Sequence, residues 1–282
     1  MMNFFQRTVF LVAVVALISN LVNDPTQCWE LPEGSIAKND APSSISAQSK
    51  FDIISHETFQ KAVATNMSNS PRKPFVLDSN WEREGGGLDD ADRQTIGDLY
   101  YKASSVFEFG LGESTRIAAA TQVPRYAGVD SDPAWVGMAR GTSIKQKMDH
   151  FRFYLSDIGP TVRWGYPVNR TLTKISYNYI VSALMAEQEA FDVYLVDGRM
   201  RVACACASFL HAIKHGGNLG VVRVAIHDNH KKNYRGYGVF EQVADVEIRN
   251  TQLWVYKLKT DLPDIEQKLY DLLKTVINHL KR

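Results

Sequence analysis

From about residue 89 onward the chain alternates short runs of strand-forming residues with longer helix-forming runs, and this rhythm limits the possible folds more than any other feature. Strands are expected at 104–110 (SSVFEFG), 126–130 (YAGVD), 151–158, 191–198 (FDVYLVDG) and 220–228, with one or two more in 246–259 around a turn near Asn250-Thr251. Helices are expected at 89–102, 114–121 with Ser114 as N-cap, 132–147 opened by Asp132 and Pro133, 174–187, 199–215 stopped by Gly216-Gly217, 234–245 and 263–281. Strands alternating with helices predict an α/β fold with a doubly wound, mainly parallel sheet. The evenly apolar 191–198 run suits a strand covered on both faces. Such sheets bind ligands beyond the carboxyl ends of their strands, which directs attention to 108–114, 130–132, 157–170, 197–201 and 227–237.

The first of these places reads Glu108-Phe109-Gly110-Leu111-Gly112-Glu113-Ser114. Two glycines let the backbone approach a ligand closely, and the helix that follows offers unpaired N–H groups at its start. Asp130 ends the next strand, 20 residues after Gly110, where a carboxylate can accept both hydroxyls of a ribose. A dinucleotide fingerprint wants glycine or alanine at position 115, and Thr115 stands there. Glu108, two residues before Gly110, suits a cationic ligand better than a pyrophosphate.

These strings resemble the class I S-adenosylmethionine-dependent methyltransferases: VFEFGLGES their first glycine motif, YAGVDSD the acidic second strand and FDVYLVDGR the fourth strand. The resemblance covers about 104–259. More narrowly, FEFGLGEST, DIGPTVRWGYP (157–167) and VDGRMRVAC (196–204) are similar to a set of methyltransferase-like proteins that share these motifs. The resemblance implies a Rossmann-like fold and S-adenosyl-L-methionine as cofactor. It sets Gly110 and Gly112 beside the methionine part, Glu108 near its amino group, Asp130 on the ribose, Asp157 and Ile158 along the adenine, and Asp197 facing the methyl-transfer cleft. Ser114 is counted with the cofactor-binding residues, although it stands where the wider fold has a third glycine.

Methyl transfer from a sulfonium needs an aligned nucleophile and often a base. Asp197, Arg199, His227, Asp228, His230, Arg235 and Tyr237 all fall at the right strand ends. His227 is the candidate base, Arg199 a grip for an anionic substrate, and Asp197 the cleft residue. Arg201 reads either as a second grip or as a solvated side chain. Asp197 with Asp228-Asn229 also resembles the magnesium site of catechol-type O-methyltransferases, in which hard oxygen ligands hold Mg2+ and the ion acidifies a bound hydroxyl. Trp164-Gly165-Tyr166-Pro167 forms either an aromatic stacking surface or an apolar clamp over the sheet. Two other classes stand beside the methyltransferase: an inactive binding or structural protein that kept the fold, and an NAD-dependent oxidoreductase, disfavoured by Thr115 and the VDGR strand end.

The 282 residues suffice for a full hydrophobic core, and a formal charge of +1 argues against nucleic-acid binding through a broad basic surface. Cys28, Cys204 and Cys206 are read as unpaired thiols. The apolar run 9–18 behind Arg7 is expected to make 1–24 a cleaved signal peptide or an uncleaved signal anchor that holds the chain to a membrane. Either directs the remainder to the secretory pathway, where Asn66-Met67-Ser68 and Asn169-Arg170-Thr171 are glycosylation sequons. The small, polar 25–84 reads as a stem with a short helical patch, 85–260 as the methyltransferase-like domain, and 261–282 as an amphipathic helix that docks on the domain or forms a homodimer. The expected acceptor is a glycan or another small hydroxylated molecule.

Overall fold

The structure is a computed structural model, and it describes residues 72–83, 87–162, 166–168, 178–229 and 237–279. The N-terminal apolar run, both sequons, Cys28, Trp164, His230 and Arg235 lie outside these residues. The described residues all belong to one compact unit, Ser55–Arg282. Among them no helix is long and apolar enough to cross a membrane.

Helix α1 (Asp90–Lys102) precedes strand β1 (Ser105–Phe109), and the alternation continues with α2 (Glu113–Ala120), β2 (Arg125–Asp130), α3 (Pro133–Lys145) and β3 (Arg152–Leu155). Two short strands, β4 (Thr161–Val162) and β5 (Tyr166–Pro167), pair with each other. A π-helical turn (Asn178–Ser182) runs into α4 (Ala183–Ala186), followed by β6 (Val193–Val196), α5 (Arg201–Lys214) and β7 (Arg223–Ile226). Strands β8 (Ala244–Arg249) and β9 (Trp254–Leu258) then form a hairpin before α6 (Ile265–His279).

The main sheet has seven strands in the order β3-β2-β1-β6-β7-β9-β8. The first five are parallel, and β9 pairs antiparallel with both β7 and β8. This is the expected doubly wound, mainly parallel fold, with its switch point between β1 and β6. All residues of β1 and β6 are buried, as a strand covered on both faces requires. Phe107 and Phe109 of β1 face one apolar layer with Phe209 of α5 and Leu269, Leu272 and Leu273 of α6. Val106 faces the other, with Ile96 and Tyr100 of α1 and Ile117 of α2. Burying each such aliphatic or aromatic side chain contributes about 1.5–3 kcal/mol. Helix α6 thus docks on its own domain.

Residues 72–83, within the stretch expected to be a linker, pack on the outer helices. Arg72 donates to the carbonyls of Tyr100 (2.6 Å), Ala103 (2.6 Å) and Thr121 (3.2 Å), the C-terminal ends of α1 and α2, where a cation meets the negative ends of the helix dipoles. Phe75 fills the hollow left by Gly97, where a Cβ would come within 2.3 Å of its ring.

Three local expectations are corrected. The N-cap of α2 is Gly112, because the Ser114 hydroxyl is turned inward to Glu108. The region expected to be a helix at 234–245 is described from Tyr237, and there it holds a 3-10 turn (Gly238–Gln242) and then β8. The side chains of Ala244–Arg249 alternate between more covered (Ala244, Val246, Ile248) and exposed (Asp245, Glu247, Arg249), a period of two that suits a strand beside β9. Of the helix expected at 174–187, the described part opens as a π-turn, and the Ser182 hydroxyl bonds back to the Asn178 carbonyl.

Candidate ligand cavity at the strand ends

Local chain chemistry builds the first wall. Gly110 follows β1 at φ 89°, and a Cβ there would lie 2.8 Å from the Asp197 carbonyl carbon and the Gly198 nitrogen, so the glycine lets the ends of β1 and β6 close together. Gly198 has the same role on the β6 side: a Cβ would sit 1.8 Å from the Tyr179 hydroxyl oxygen. A cavity of about 340 Å³ opens beyond these ends. Its walls include Gly110, Gly112, Ser114, Asp130, Trp135, Tyr179, Asp197, Arg199, Arg201 and Asp228.

Asp130 is fixed before any ligand is present. Its Oδ2 accepts the Leu111 N–H at 2.9 Å and its Oδ1 the Asp132 N–H at 2.9 Å, while burial raises its pKa. The carboxylate therefore stands at the end of β2 across from the glycine turn, the relation expected from the 20-residue spacing. The cavity wall carries Glu113, Asp130, Asp132, Asp197 and Asp228 against Arg199 and Arg201, an excess of negative charge.

Glu108 takes a different place from the one expected. It points with Val106 into the apolar layer and is fully buried. Its carboxylate accepts from the hydroxyls of Tyr100 (2.6 Å), Tyr126 (2.6 Å), Ser114 (3.1 Å) and Thr115 (3.0 Å). Burial pushes its pKa up to about 7 against the opposing pull of these four donors. Glu108 and Ser114 form a brace under the glycine turn, and Glu108 is not part of the cavity wall. Asp157 and Ile158 are likewise not on that wall. Asp157 is exposed and caps the Gly159 N–H at 2.8 Å, while Ile158 is buried in the core.

On the β6–β7 side, Asp197 and Asp228 come together around His227 and Arg201. His227 Nδ1 lies 3.0 Å from Asp197 Oδ1, and Nε2 faces Asp92 Oδ2 of α1 at 3.5 Å. Burial alone would lower the imidazole pKa, but the hydrogen bond to Asp197 and the nearby carboxylates of Asp92 and Asp228 hold it at about 10. His227 is therefore an imidazolium near neutral pH, without a lone pair to offer, and it is not on the cavity wall. The residue expected as general base thus stands behind Asp197, paired to its carboxylate, rather than on the wall.

Arg201, which sequence left open between grip and solvated side chain, is buried. Its Nη2 reaches Asp228 Oδ2 at 2.7 Å and Asp197 Oδ1 at 3.2 Å. Asn229, expected beside Asp197 and Asp228 as an oxygen ligand, is fully buried and donates to the Tyr256 hydroxyl at 2.6 Å. One ligand atom each from Asp197, His227 and Asp228 does fall within 4.8 Å of the others. Arg199 stays on the wall, where a guanidinium can meet an anionic group.

Several supporting residues were missed by sequence reasoning. Arg93 grips Glu113 bidentately (2.6 and 2.9 Å), Trp81 donates to the same carboxylate at 2.7 Å, and Asp92 accepts the Leu253 N–H at 3.2 Å. A helix was expected at 89–102, but a buried partner 20 residues away leaves no local trace in that run. Tyr179 could have been sought from Gly198, since a glycine in an otherwise apolar strand end marks a close approach.

No protein-family model and no curated protein matches the chain. Among solved structures it is similar to a methyltransferase-like protein from Silicibacter pomeroyi, at 23% identity and a TM-score of 0.52, over 68% of this chain and 96% of that one. A looser likeness, at 13% identity and a TM-score of 0.41, links 74% of the chain to 93% of an O-methyltransferase from Bacillus cereus determined in complex with SAH.

Proposed function

We propose that this chain, which carries a methyltransferase-like fold, is an S-adenosylmethionine-dependent methyltransferase acting on an oxygen of a hydroxylated acceptor. The observation that carries the reading is Asp130, preset at the end of β2 across from the Gly110–Gly112 turn, in a cavity whose charged wall residues are mainly carboxylates. An acidic wall favours a ligand with cationic sulfonium and ammonium groups, and it disfavours the pyrophosphate of a dinucleotide. Asp130 would hold the ribose hydroxyls, and the Gly110–Gly112 backbone with the start of α2 the methionine part. Bound there, the cofactor supplies an electrophilic methyl group.

The remaining roles belong to the chain. Asp197 faces the cavity and is held by His227 and Arg201, so it is aimed to accept the hydrogen bond, and then the proton, of an acceptor hydroxyl. Arg199 meets any anionic group on that acceptor. Trp135 and Leu88 add apolar surface to the cavity wall. A glycan acceptor in a secretory compartment is the reading supported by the apolar run 9–18 behind Arg7.

Calorimetric titration of the full chain with S-adenosylmethionine, S-adenosylhomocysteine and NAD tests the proposal. Micromolar binding of the adenosyl ligands with NAD silent is expected. Silence towards all three overturns the reading in favour of a fold without its chemistry, and binding of NAD alone turns it to an oxidoreductase.

A further inference from the structure

A magnesium site of the catechol-type kind needs open oxygen ligands where Asp197 and Asp228 converge. The residues present do not fit that ion. The place between the two carboxylates is taken by the Arg201 guanidinium, at 2.7 Å from Asp228 Oδ2 and 3.2 Å from Asp197 Oδ1. The guanidinium is not a mobile visitor. Its Nε donates to the Gly198 carbonyl at 3.0 Å, its Nη1 to the His227 carbonyl and its Nη2 to the Asp197 carbonyl at 3.4 Å. Its backbone is set at the first residue of α5, directly after Met200 in the left-handed region at φ 55°. Only 6% of the side chain is exposed. The third expected ligand, Asn229, is fully buried off the cavity wall, with its side-chain nitrogen donating to the Tyr256 hydroxyl.

We propose that Arg201 is the resident cation of this site, seated where a divalent ion would otherwise bind, so that the Asp197–Asp228 pair works without a metal. Sequence places the arginine one helical turn after Asp197, and the fold turns it back on both carboxylates. A buried guanidinium bound to two carboxylates and to backbone carbonyls is costly to displace, because its removal leaves those oxygens uncompensated. The assignment holds whichever nucleotide the cavity takes.

Mn2+ serves as the probe, because it prefers carboxylate and water ligands and the signal of the free ion disappears on binding. Paramagnetic resonance titration of the full chain at up to millimolar Mn2+ is expected to show no saturable site that depends on Asp228. One stoichiometric ion bound by the wild-type chain and lost in Asp228→Asn overturns the proposal. Asn tolerates the left-handed backbone of Asp228 (φ 57°), so that variant keeps the local fold. Saturable binding that survives Asp228→Asn lies elsewhere and leaves Arg201 in its seat. Arg201→Met should gain one Mn2+ site, lost again when Asp228→Asn is added. If Arg201→Met does not fold, as its circular dichroism would show, the wild-type and Asp228→Asn titrations decide the question alone.

Discussion

Asp130 and His227 show how much one side chain's environment decides. Both backbone N–H bonds to Asp130 are made before a ligand arrives, so its remaining lone pairs are oriented in advance. Replacing it with alanine should weaken S-adenosylhomocysteine binding at least about tenfold, or about 1.4 kcal/mol, in calorimetric titration. His227 gives a pH prediction. Its folded pKa of about 10 lies above the ordinary 6.5, so the protonated form is favoured by folding. The stabilisation is fully present below 6.5 and is lost as pH rises towards 10. Denaturant midpoints should fall across that window, and the fall should be shallower in Asp92→Asn, which removes one of the three carboxylates facing the ring, those of Asp92, Asp197 and Asp228. Sequence showed the importance of Asp130 through its spacing from Gly110, a local relation. It did not show the charge state of His227, which depends on Asp197 and also on Asp92, a residue of α1 135 positions earlier in the chain.

At the level of elements, the legible features were those with a period or a punctuation mark. β1, β6 and the start of α3 at Asp132-Pro133 followed from apolar runs and caps, and the Asp132 side chain does accept the Ala134 N–H at 2.8 Å. Of the 234–245 segment, the described part from Tyr237 makes a 3-10 turn and only Ala244 and Asp245 enter β8, where pairing with β9 acts from outside the segment. Glu108 failed for a similar reason: a strand's alternation gives its face but not the hydroxyls waiting there on α1, α2 and β2. The glycine turn yields the element-level prediction. Gly110→Ala puts a Cβ 2.8 Å from backbone atoms at the end of β6, and at φ 89° the alanine is also strained, by about 1–3 kcal/mol. Thermal unfolding should register that loss, and adenosyl-ligand affinity should fall with it as β1 and β6 are forced apart.

Across the whole molecule, two apolar layers sandwich the sheet, and α6 closes one of them. Leu269 is fully buried there, so Leu269→Ala should cost about 2–5 kcal/mol of stability in denaturant unfolding. The effect should be independent of protein concentration, as docking within one chain requires and a dimer seam would not. The layer order and the position of the cavity were readable from strand–helix alternation, since both follow from general rules of parallel sheets. The packing of 72–83 on the domain was not, because it depends on contacts with the ends of two helices that lie well ahead in sequence.

Neighbouring residues on α1 look in different directions: Asp92 towards His227 and the β9 end, Arg93 towards Glu113 and the glycine turn. The recurring α/β core of such folds opens at its first strand, and α1 lies before it. In modular terms, however, this chain cannot be divided at Ser105. A chimaera that grafted β1–β9 onto a foreign leader would bring along a buried Glu113 without its arginine and an imidazolium missing one of its carboxylates. The heritable unit here is the core together with the helix ahead of it, and exchange between relatives is viable only where that helix travels too.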